Sequence, residues 1–432
     1  MRKLNSESRH VMLVTSLCSI ALILATGCST PETVEMPAPT AVTVFEGARL
    51  IVGDGSEPIE DAAFIVENDR FTAVGRRGQL DVPEGATRVD LTGKTVMPAM
   101  IDTHKHVAQD REALVDQLQH FAYYGVGVVT SLGRDFDPVF QLREETLPNA
   151  ARLRTAGLGI TSPEPGRSED PYWITSEEEA RAAVQELAEK RVDLVKMWVD
   201  DRNGQYEKLS PALYGAVIDE AHLHDLRVTA HIFALEDAKG LLRAGIDAFA
   251  HGIRDRDIDD EIVEMFRERP NVFLVPNLPD QGVAVDMSWL AETVPAEELQ
   301  ELQAASTDRP DVQEAFGIQA RNLAKLNAAG VRIAFGSDGS IPWEPHVGMA
   351  RMVAAGMTPA QVITAATRNS ADLLRLADAG TVAVGKSADF IVLDANPLDD
   401  ITNTRRIAAV YLRGTEVDRA ALRARWAGET SQ

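Results

Sequence analysis

The stretch "PAMIDTHKHVAQD", residues 98–110, places two histidines one residue apart with a lysine between them. Alternate side chains of a β-strand share a face, so His104 and His106 would point one way and Lys105 the other. Such a pair can bind a metal ion, or it can be two polar residues on one strand, and the stretch alone leaves both open. We expect Lys105 to face away from the histidines and to form a structural ion pair.

Apolar runs that alternate with helical segments follow this stretch. Seven of them have the composition of buried strands: "GVGVVTSLG" (125–133), "RLRTAGLGI" (152–160), "VDLVKMWV" (192–199), "LRVTAHIFA" (226–234), "IDAFAHGI" (246–253), "NVFLVPNL" (271–278) and "VRIAFGSD" (331–338). With a strand at 96–106 they make eight. Alternating strands and helices predict a parallel sheet, and eight units predict an α/β fold of the (β/α)8 TIM-barrel type over residues 98–377. The active site of such a barrel lies at the C-terminal ends of its strands.

Short strand-like segments with turn signals flank the predicted barrel on both sides. We expect residues 43–97 and 378–420 to build one small β-sandwich-like domain together.

The first residues have a different character. A basic start, "MRKLNSESRH", precedes the apolar run "VMLVTSLCSIALILA" and then Cys28. This arrangement resembles a bacterial lipoprotein signal, and predicts a signal peptide over residues 1–27, a lipid anchor at Cys28 and a flexible tether over 28–42. The protein would then cross the inner membrane and reside in the periplasm or cell envelope. A plain secretory signal or an uncleaved anchor is the alternative.

Charge and cysteine content exclude several kinds of partner and site. The formal net charge of −23 argues against a nucleic-acid partner and against electrostatic binding to anionic membrane. The two cysteines, Cys18 and Cys28, both lie in the N-terminal segment, so a cysteine zinc site in the folded body is not expected. Any metal must be bound by nitrogen and oxygen ligands.

Four more residues with metal-binding side chains fall near the ends of predicted strands: Lys196, His231, His251 and Asp338. Each has an ordinary explanation alone, as a buried histidine bonded to backbone or an aspartate that caps a helix. A lysine inside an apolar strand is costly to bury unpaired. Together with the two histidines of the opening stretch, these residues predict a metal site in the barrel mouth.

The set resembles the amidohydrolase superfamily, metal-dependent hydrolases built on a (β/α)8 barrel, over roughly residues 43–415. "GKTVMPAMIDTHKH" (93–106) is similar to the strand-1 signature of that superfamily, and "AGTVAVGKSADFIVLDANPLDDI" (379–401) to its return into the small domain. The order His-x-His, Lys, His, His, Asp resembles the binuclear subtype. "AHGI" (250–253) and "GMTPAQVITAATRNSADLL" (356–374) are similar to the imidazolonepropionase-like and Xaa-Pro-dipeptidase-like branch.

The resemblance implies a role for each residue. One metal ion would be bound by His104, His106 and Asp338, the second by His231 and His251. Lys196, carboxylated by CO₂, would bridge the two. Zinc suits these ligands best, while manganese and iron remain open. A hydroxide bridging the metals would attack the substrate, with Asp338 acting as general base and then general acid.

The substrate is predicted less sharply. Resemblance and nearby arginines favour hydrolysis of an amide or peptide-like bond in a dipeptide-like or N-acyl amino acid. Arg134 and Arg254 could bind its carboxylate, and His346 and Tyr172 are further candidate contacts. Three alternatives remain: a cyclic amide or lactone hydrolase of the same superfamily, a mononuclear enzyme in which Lys196 is purely structural, and a non-catalytic binding lipoprotein. The oligomeric state is open.

Overall fold

A computed structural model describes residues 42–429 of the chain. The predicted signal peptide, Cys28 and all but the last residue of the predicted tether lie outside the described residues. The described residues belong to one compact unit. None of their helices combines the length and the apolar character needed to cross a bilayer.

Strands account for much of the described chain. In chain order they are β1 (Val42–Leu50), β2 (Ile59–Glu67), β3 (Arg70–Arg76), β4 (Thr87–Asp90), β5 (Thr95–Pro98), β6 (Met100–Lys105), β7 (Val126–Gly133), β8 (Arg152–Leu158), β9 (Ile160–Thr161), β10 (Tyr172–Trp173), β11 (Val195–Val199), β12 (Val228–Ile232), β13 (Ala248–Phe249), β14 (Phe273–Leu274), β15 (Arg332–Ile333), β16 (Phe390–Leu393), β17 (Ile407–Leu412) and β18 (Thr415–Glu416).

The α-helices of residues 42–429 alternate with the central strands. They are α1 (Arg111–Tyr123), α2 (Asp137–Arg143), α3 (Glu177–Glu189), α4 (Pro211–Leu223), α5 (Leu235–Ala244), α6 (Asp260–Arg267), α7 (Ala296–Ala305), α8 (Pro310–Ala328), α9 (Glu344–Ala354), α10 (Pro359–Thr364), α11 (Ser370–Leu373) and α12 (Arg419–Glu429). A π-helical turn, Ala365–Asn369, joins α10 to α11, and short 3₁₀ helices lie at Ser288–Leu290 and Ile401–Arg405.

Strands from both ends of the described chain form one eight-stranded sheet, ordered β18-β17-β16-β5-β1-β2-β3, with β4 also paired to β1. In a flat sheet β3 and β16 would be four strand spacings apart, roughly 19 Å. The ring centroids of Phe71 on β3 and Phe390 on β16 are only 5.8 Å apart, and Phe64 and Phe45 pack against the same ring. The sheet therefore folds over an aromatic core.

The remaining strands are parallel and lie in two sheets, β6-β7-β8 and β10-β9-β11-β12-β13-β14-β15. Strands occur within all eight predicted regions, but the one predicted over 96–106 is divided. β5 pairs with β16 in the first sheet, whereas β6 pairs with β7. The break falls at Ala99, whose amide donates to Asp389 of the segment before β16. The chain thus passes from one sheet to the other without a loop.

Backbone hydrogen bonds connect β6 to the segment that follows β15. The amide of Thr103 donates to the carbonyl of Phe335 at 3.0 Å, and the amide of Asp338 donates to the carbonyl of His104 at 2.9 Å. β8 and β9 are separated by Gly159 alone, so they carry the chain from the three-stranded sheet into the seven-stranded one. These contacts bring the ends of β6 and β15 beside each other.

Helix starts follow the signals in the sequence. The side chains of Ser176, Ser210 and Thr358 accept backbone hydrogen bonds at the N-termini of α3, α4 and α10, and the last forms a full capping box with Gln361. These caps fix where each helix leaves the preceding loop, and hence how the strand ends and the loops after them are presented.

Candidate metal centre

Six predicted ligands converge on one cavity of about 650 Å³ at the ends of the parallel strands. His104 is on β6, Lys196 on β11 and His231 on β12, while His251 and Asp338 lie just beyond β13 and β15. The list of cavity-lining residues includes His104, His106, Lys196, His231, His251 and Asp338. Residues separated by more than two hundred positions are therefore neighbours in the fold.

The alternation of side chains on β6 follows the prediction. His104 is buried at the cavity, and His106, just past the strand end, has half of its side chain exposed. Lys105 is fully buried on the opposite face, where its Nζ donates to Ser337 Oγ at 2.7 Å and to the Ile341 carbonyl at 2.9 Å. Its ammonium also lies 3.6 Å from a carboxylate oxygen of Asp102, so the predicted structural ion pair is confirmed.

Asp338 is the centre of the cluster. Its carboxylate lies 3.0 Å from His106 Nε2, 3.2 Å from His104 Nε2 and 3.6 Å from His251 Nε2. The residue has φ +53°, a left-handed conformation uncommon outside glycine, asparagine and aspartate. The hydrogen bond from the Asp338 backbone amide to the His104 carbonyl stabilises this conformation, in which the carboxylate faces the histidines.

Burial sets the protonation of the histidines. Burial lowers the pKa of His104 and of His251 well below the usual value, and lowers that of His231 to about 4. Burial works to raise the pKa of Asp338, but the surrounding histidines and Lys196 outweigh it, so this pKa falls below its usual range. At neutral pH His104, His231 and His251 are therefore neutral and Asp338 is ionised, the protonation states in which imidazole and carboxylate bind metals.

Lys196 is the most unusual member. Its Nζ is buried and has no hydrogen-bond partner within residues 42–429. Burial lowers its pKa to about 7, so a large share of the amine is neutral near physiological pH. The ring of Trp198 lies 5.6 Å from Nζ, in space kept open by Gly159, where a Cβ would come within 2.1 Å of that ring. A buried amine without a hydrogen-bond partner is suited to carboxylation by CO₂, which would make Lys196 an anionic ligand.

A divalent metal fits the residues present. Ligand atoms of His104, His251 and Asp338 all lie within 4.8 Å of one another. Imidazole nitrogen and carboxylate oxygen are ligands that zinc and related ions accept. The unpartnered amine of Lys196 and the ring of His231, whose centroid lies 4.3 Å from that of His251, lie beside this group.

The four predicted substrate contacts do not share one location. Arg134 lines the cavity with 69% of its side chain exposed, and its Nε donates to Asp170 at 2.5 Å. Among the described residues, Arg254 does not line the cavity. Its Nη2 donates to the Ile232 carbonyl at 2.6 Å and lies 3.0 Å from His231 Nε2. Arg254 is thus a neighbour of a predicted ligand rather than part of the cavity wall.

His346 and Tyr172 require correction. The His346 side chain is fully buried, with Nε2 3.0 Å from the Tyr124 carbonyl and Nδ1 3.0 Å from Thr404 Oγ1, so both ring nitrogens are used inside the protein. Tyr172 packs against the hydrophobic core, and burial together with the carboxylate of Glu186 on α3 raises the pKa of its hydroxyl. Neither residue lines the cavity formed by the described residues, so direct substrate contact is not supported for either.

Several residues that contact the predicted ligands or line the cavity had not been predicted. Asp200 follows β11 and lies 2.9 Å from His231 Nε2, and Asn277 follows β14 with its side-chain amide 2.5 Å from His104 Nδ1. The same rule that found the ligands, polar residues at strand ends, would have found both. The wall formed by the loop after β9 had no such signal, because it is not a strand end and its carboxylates Glu164 and Asp170 pair with Arg202 and Arg134 of other loops.

Comparisons with known proteins show what this chain is similar to. The chain is 27% identical to an imidazolonepropionase of Deinococcus radiodurans over 391 residues, which covers 83% of this chain and 92% of that protein. It is 24% identical to an ochratoxinase of Aspergillus niger over 424 residues, covering 83% and 82% of the two chains. The fold matches a crystal structure of a Xaa-Pro dipeptidase with a TM-score of 0.70 at 20% identity, over 87% of this chain and 99% of that one. The amidohydrolase family model matches residues 95–417, and the chain therefore belongs to the amidohydrolase family.

Proposed function

We propose that this chain hydrolyses an amide or peptide-like bond in a small molecule that carries a free carboxylate, with the help of two divalent metal ions. One observation carries the proposal: the six side chains with metal-binding chemistry line a single cavity. The relatives support the same reaction class, since imidazolonepropionase, ochratoxinase and Xaa-Pro dipeptidase are names of hydrolytic enzymes that cleave carbon–nitrogen bonds. The carboxylate and the metal count are our own inference.

We infer a closed (β/α)8 barrel as the scaffold. The hydrogen bonds between β6 and the segment after β15, together with the direct passage from β8 to β9, support closure of the parallel strands into one ring. In such a barrel the C-terminal strand ends surround one opening. This accounts for the convergence of residues from β6, β11, β12 and the segments after β13 and β15.

The proposed ligands are divided between two ions as the resemblance implies. His104, His106 and Asp338 would bind one ion, and His231 and His251 the other. Lys196, partly neutral because its pKa is about 7, could react with CO₂ through its amine and lose a proton, and the resulting carbamate would supply anionic oxygen ligands. When bound, zinc or a similar divalent ion supplies positive charge that polarises a carbonyl and lowers the pKa of water.

Asp338 is placed to move the proton in this reaction. Its carboxylate is ionised at neutral pH and lies among the ligand histidines, where an attacking water would be held. It can accept a proton from that water and then deliver it to the departing amine nitrogen, acting as general base and general acid in turn. The left-handed backbone at Asp338 keeps the carboxylate at this point without a flexible loop.

Two arginines support a carboxylated substrate. Arg134 uses its Nε to bind Asp170, and Arg167 uses one terminal nitrogen to bind Glu164, so each retains guanidinium donors without a partner in the described part of the chain. Both line the cavity. A guanidinium fork matches the two oxygens of a carboxylate, and in a partly enclosed cavity that pairing fixes orientation as well as affinity.

The test is a substrate panel with purified, zinc-loaded protein: N-acyl amino acids, dipeptides, their amide-capped counterparts and lactones. We expect turnover of amides with a free carboxylate, lower kcat/KM for the capped forms, and no turnover by the Asp338→Asn variant. Arg134→Ala should raise KM for carboxylated substrates only, with Arg111→Ala as control because Arg111 forms an exposed pair with Glu145 outside the cavity. Equal turnover of capped and free substrates would refute the carboxylate class.

We further propose that the protein is anchored through lipid at Cys28 in the bacterial cell envelope. The apolar segment and small residues before Cys28 support this, and they lie outside the described residues. Metabolic labelling with a fatty-acid analogue, compared between the wild type and Cys28→Ala, tests the anchor directly.

A further inference from the structure

His231 differs from the other histidines of the cluster in its carboxylate partner. His104, His106 and His251 approach Asp338, whereas Nε2 of His231 lies 2.9 Å from Oδ2 of Asp200. We propose that Asp200 is a positioning residue: it holds His231 in the tautomer with the proton on Nε2, which leaves Nδ1 as the metal-binding atom. The inference rests on the proposed function, since it assumes a metal ion at His231.

Three side chains compete for Nε2 of His231, and their chemistry decides between them. Asp200 lies at 2.9 Å, Arg254 Nη2 at 3.0 Å and Arg202 Nη1 at 3.3 Å. An ionised carboxylate has no proton to donate, so its close approach is favourable only if Nε2 carries the proton. The arginines have other acceptors: Arg254 Nη2 donates to the Ile232 carbonyl at 2.6 Å, and Arg202 Nη1 donates to Asp200 at 2.9 Å. The arrangement is therefore satisfied when Nε2–H donates to Asp200.

Asp200 is itself held rigidly. The backbone amide of Arg202 donates to Asp200 Oδ1 at 2.9 Å, across a tight turn in which Arg202 and Asn203 both have positive φ. The Arg202 side chain then binds Asp200 with one nitrogen and Glu164 with another, each at 2.9 Å. All three side chains are largely buried. A chain of charged groups thus runs from the cavity wall at Glu164 to the ring of His231.

The physical consequence is that the tautomer and orientation of His231 are fixed before a metal ion binds. A histidine that binds a metal through one nitrogen must carry its proton on the other, and a carboxylate at that position fixes both the tautomer and the ring orientation. Loss of such a partner typically weakens metal binding by about 10–100-fold. Because Asp200 contacts only His231 among the proposed ligands within residues 42–429, the effect should fall on one of the two ions.

The chain offers a matched control in the adjacent residue. Asp201 is also acidic, but its carboxylate accepts a hydrogen bond from the Gly204 amide in the turn and does not contact a proposed ligand within residues 42–429. We therefore compare Asp200→Ala, Asp200→Asn and Asp201→Ala. Each is prepared metal-free and titrated with zinc against a chromogenic chelator, and the cobalt-loaded forms are compared by visible absorption.

Asp200→Ala should weaken one of two zinc equivalents by about 10–100-fold, leave the other within about threefold, and alter the cobalt spectrum. Asp200→Asn, which keeps an acceptor oxygen, should recover most of the affinity, and Asp201→Ala should match the wild type. Unchanged zinc affinities in Asp200→Ala, or an equal loss of zinc affinity in Asp201→Ala, would overturn the positioning role of Asp200 without affecting the proposed function. A wild type that binds no zinc would overturn the proposed function instead.

A measurement on the wild type covers the case in which Asp200→Ala does not fold. Ring ¹⁵N resonances of the zinc-loaded protein, labelled at histidine and assigned with His231→Gln, report which nitrogen carries the proton. A protonated Nε2 with a metal-shifted Nδ1 supports the inference. The reverse pattern overturns it.

Discussion

His346 offers a test in which stability depends on pH. It lies on α9 with its side chain fully buried, and the Tyr124 carbonyl can only accept, so Nε2 carries the proton. Nδ1 lies 3.0 Å from Thr404 Oγ1, whose hydroxyl donates to the Ile401 carbonyl. Burial, followed by the positive charge of Arg405, lowers its pKa to about 3. Protonation would add a positive charge to a buried site that already lies near Arg405 and Arg419. We therefore expect the folded protein to resist protonation of His346 at a pH where the unfolded chain is protonated.

The sign and size of the change in unfolding free energy follow from the pKa values of His346 in the unfolded and folded states. The unfolded value is about 6.5 and the folded one about 3, so the unfolded state binds the proton first as the pH falls. Stability from this group is complete above pH 6.5 and is lost progressively between about pH 6.5 and 3. One pKa unit corresponds to about 1.4 kcal/mol, so at pH 5 the loss is about 2 kcal/mol.

Urea unfolding of the wild type and His346→Gln at pH 7.5, 6 and 5 checks this. Comparison of the two proteins removes the contributions of all other titrating groups, including the histidines of the metal centre. The wild type should lose about 2 kcal/mol more than the variant between pH 7.5 and 5. Parallel pH profiles, agreeing within about 0.5 kcal/mol, would refute the buried neutral histidine. If the free energy of unfolding of His346→Gln instead depended on pH as that of the wild type does, and its KM were raised, the substrate contact first predicted for His346 would be supported.

The remaining predictions concern the side chains of Lys105, Lys196 and Tyr172. Lys105→Met should cost about 3–5 kcal/mol in urea unfolding because Asp102 is left buried and unpaired, whereas Lys94→Met, which breaks an exposed pair, should cost less than about 1 kcal/mol. Equal losses would contradict this. Lys196→Ala should lose bound zinc, measured by elemental analysis, and regain activity with short carboxylic acids that replace the carbamate; activity without either would contradict the bridging role. Tyr172→Phe should leave kcat/KM within about twofold, because its hydroxyl lies towards α3.

Apolar periodicity was sufficient to predict where the parallel strands occur, because strands covered on both faces are almost continuously apolar. It did not predict where hydrogen bonding stops. β13, β14 and β15 are only two residues long, and the chain beyond two of them turns at Asn277 and Asp338, which both have positive φ. The division of 96–106 between two sheets was also missed, since "TVMPAMI" is apolar throughout and its partner at Asp389 is almost three hundred residues away.

The convergence of the proposed ligands on one cavity was predictable for a similar reason. A histidine or lysine inside an apolar run is conspicuous, and the position of a residue on its strand decides which face it occupies, as Lys105 illustrates. Contacts that depend on loops were not predictable. Arg254 could be read as a clamp because it follows His251, yet its guanidinium turns inward to the Ile232 carbonyl. Sequence proximity to a site does not determine the direction of a long side chain.

The proposed ligands and the proposed substrate contacts therefore belong to different parts of the chain. The proposed metal ligands lie on strands or one short turn beyond them, and backbone hydrogen bonds fix their positions. The wall opposite comes largely from the loop between β9 and β10, where Glu164 and Asp170 bind arginines from other loops. Such ion pairs can be exchanged without disturbing the strands. Substitutions at Asp170 or Arg167 should thus change which substrate is accepted. Glu164 differs because it is linked to His231 through Arg202 and Asp200. Loss of the Glu164 carboxylate should therefore affect substrate choice and metal binding together.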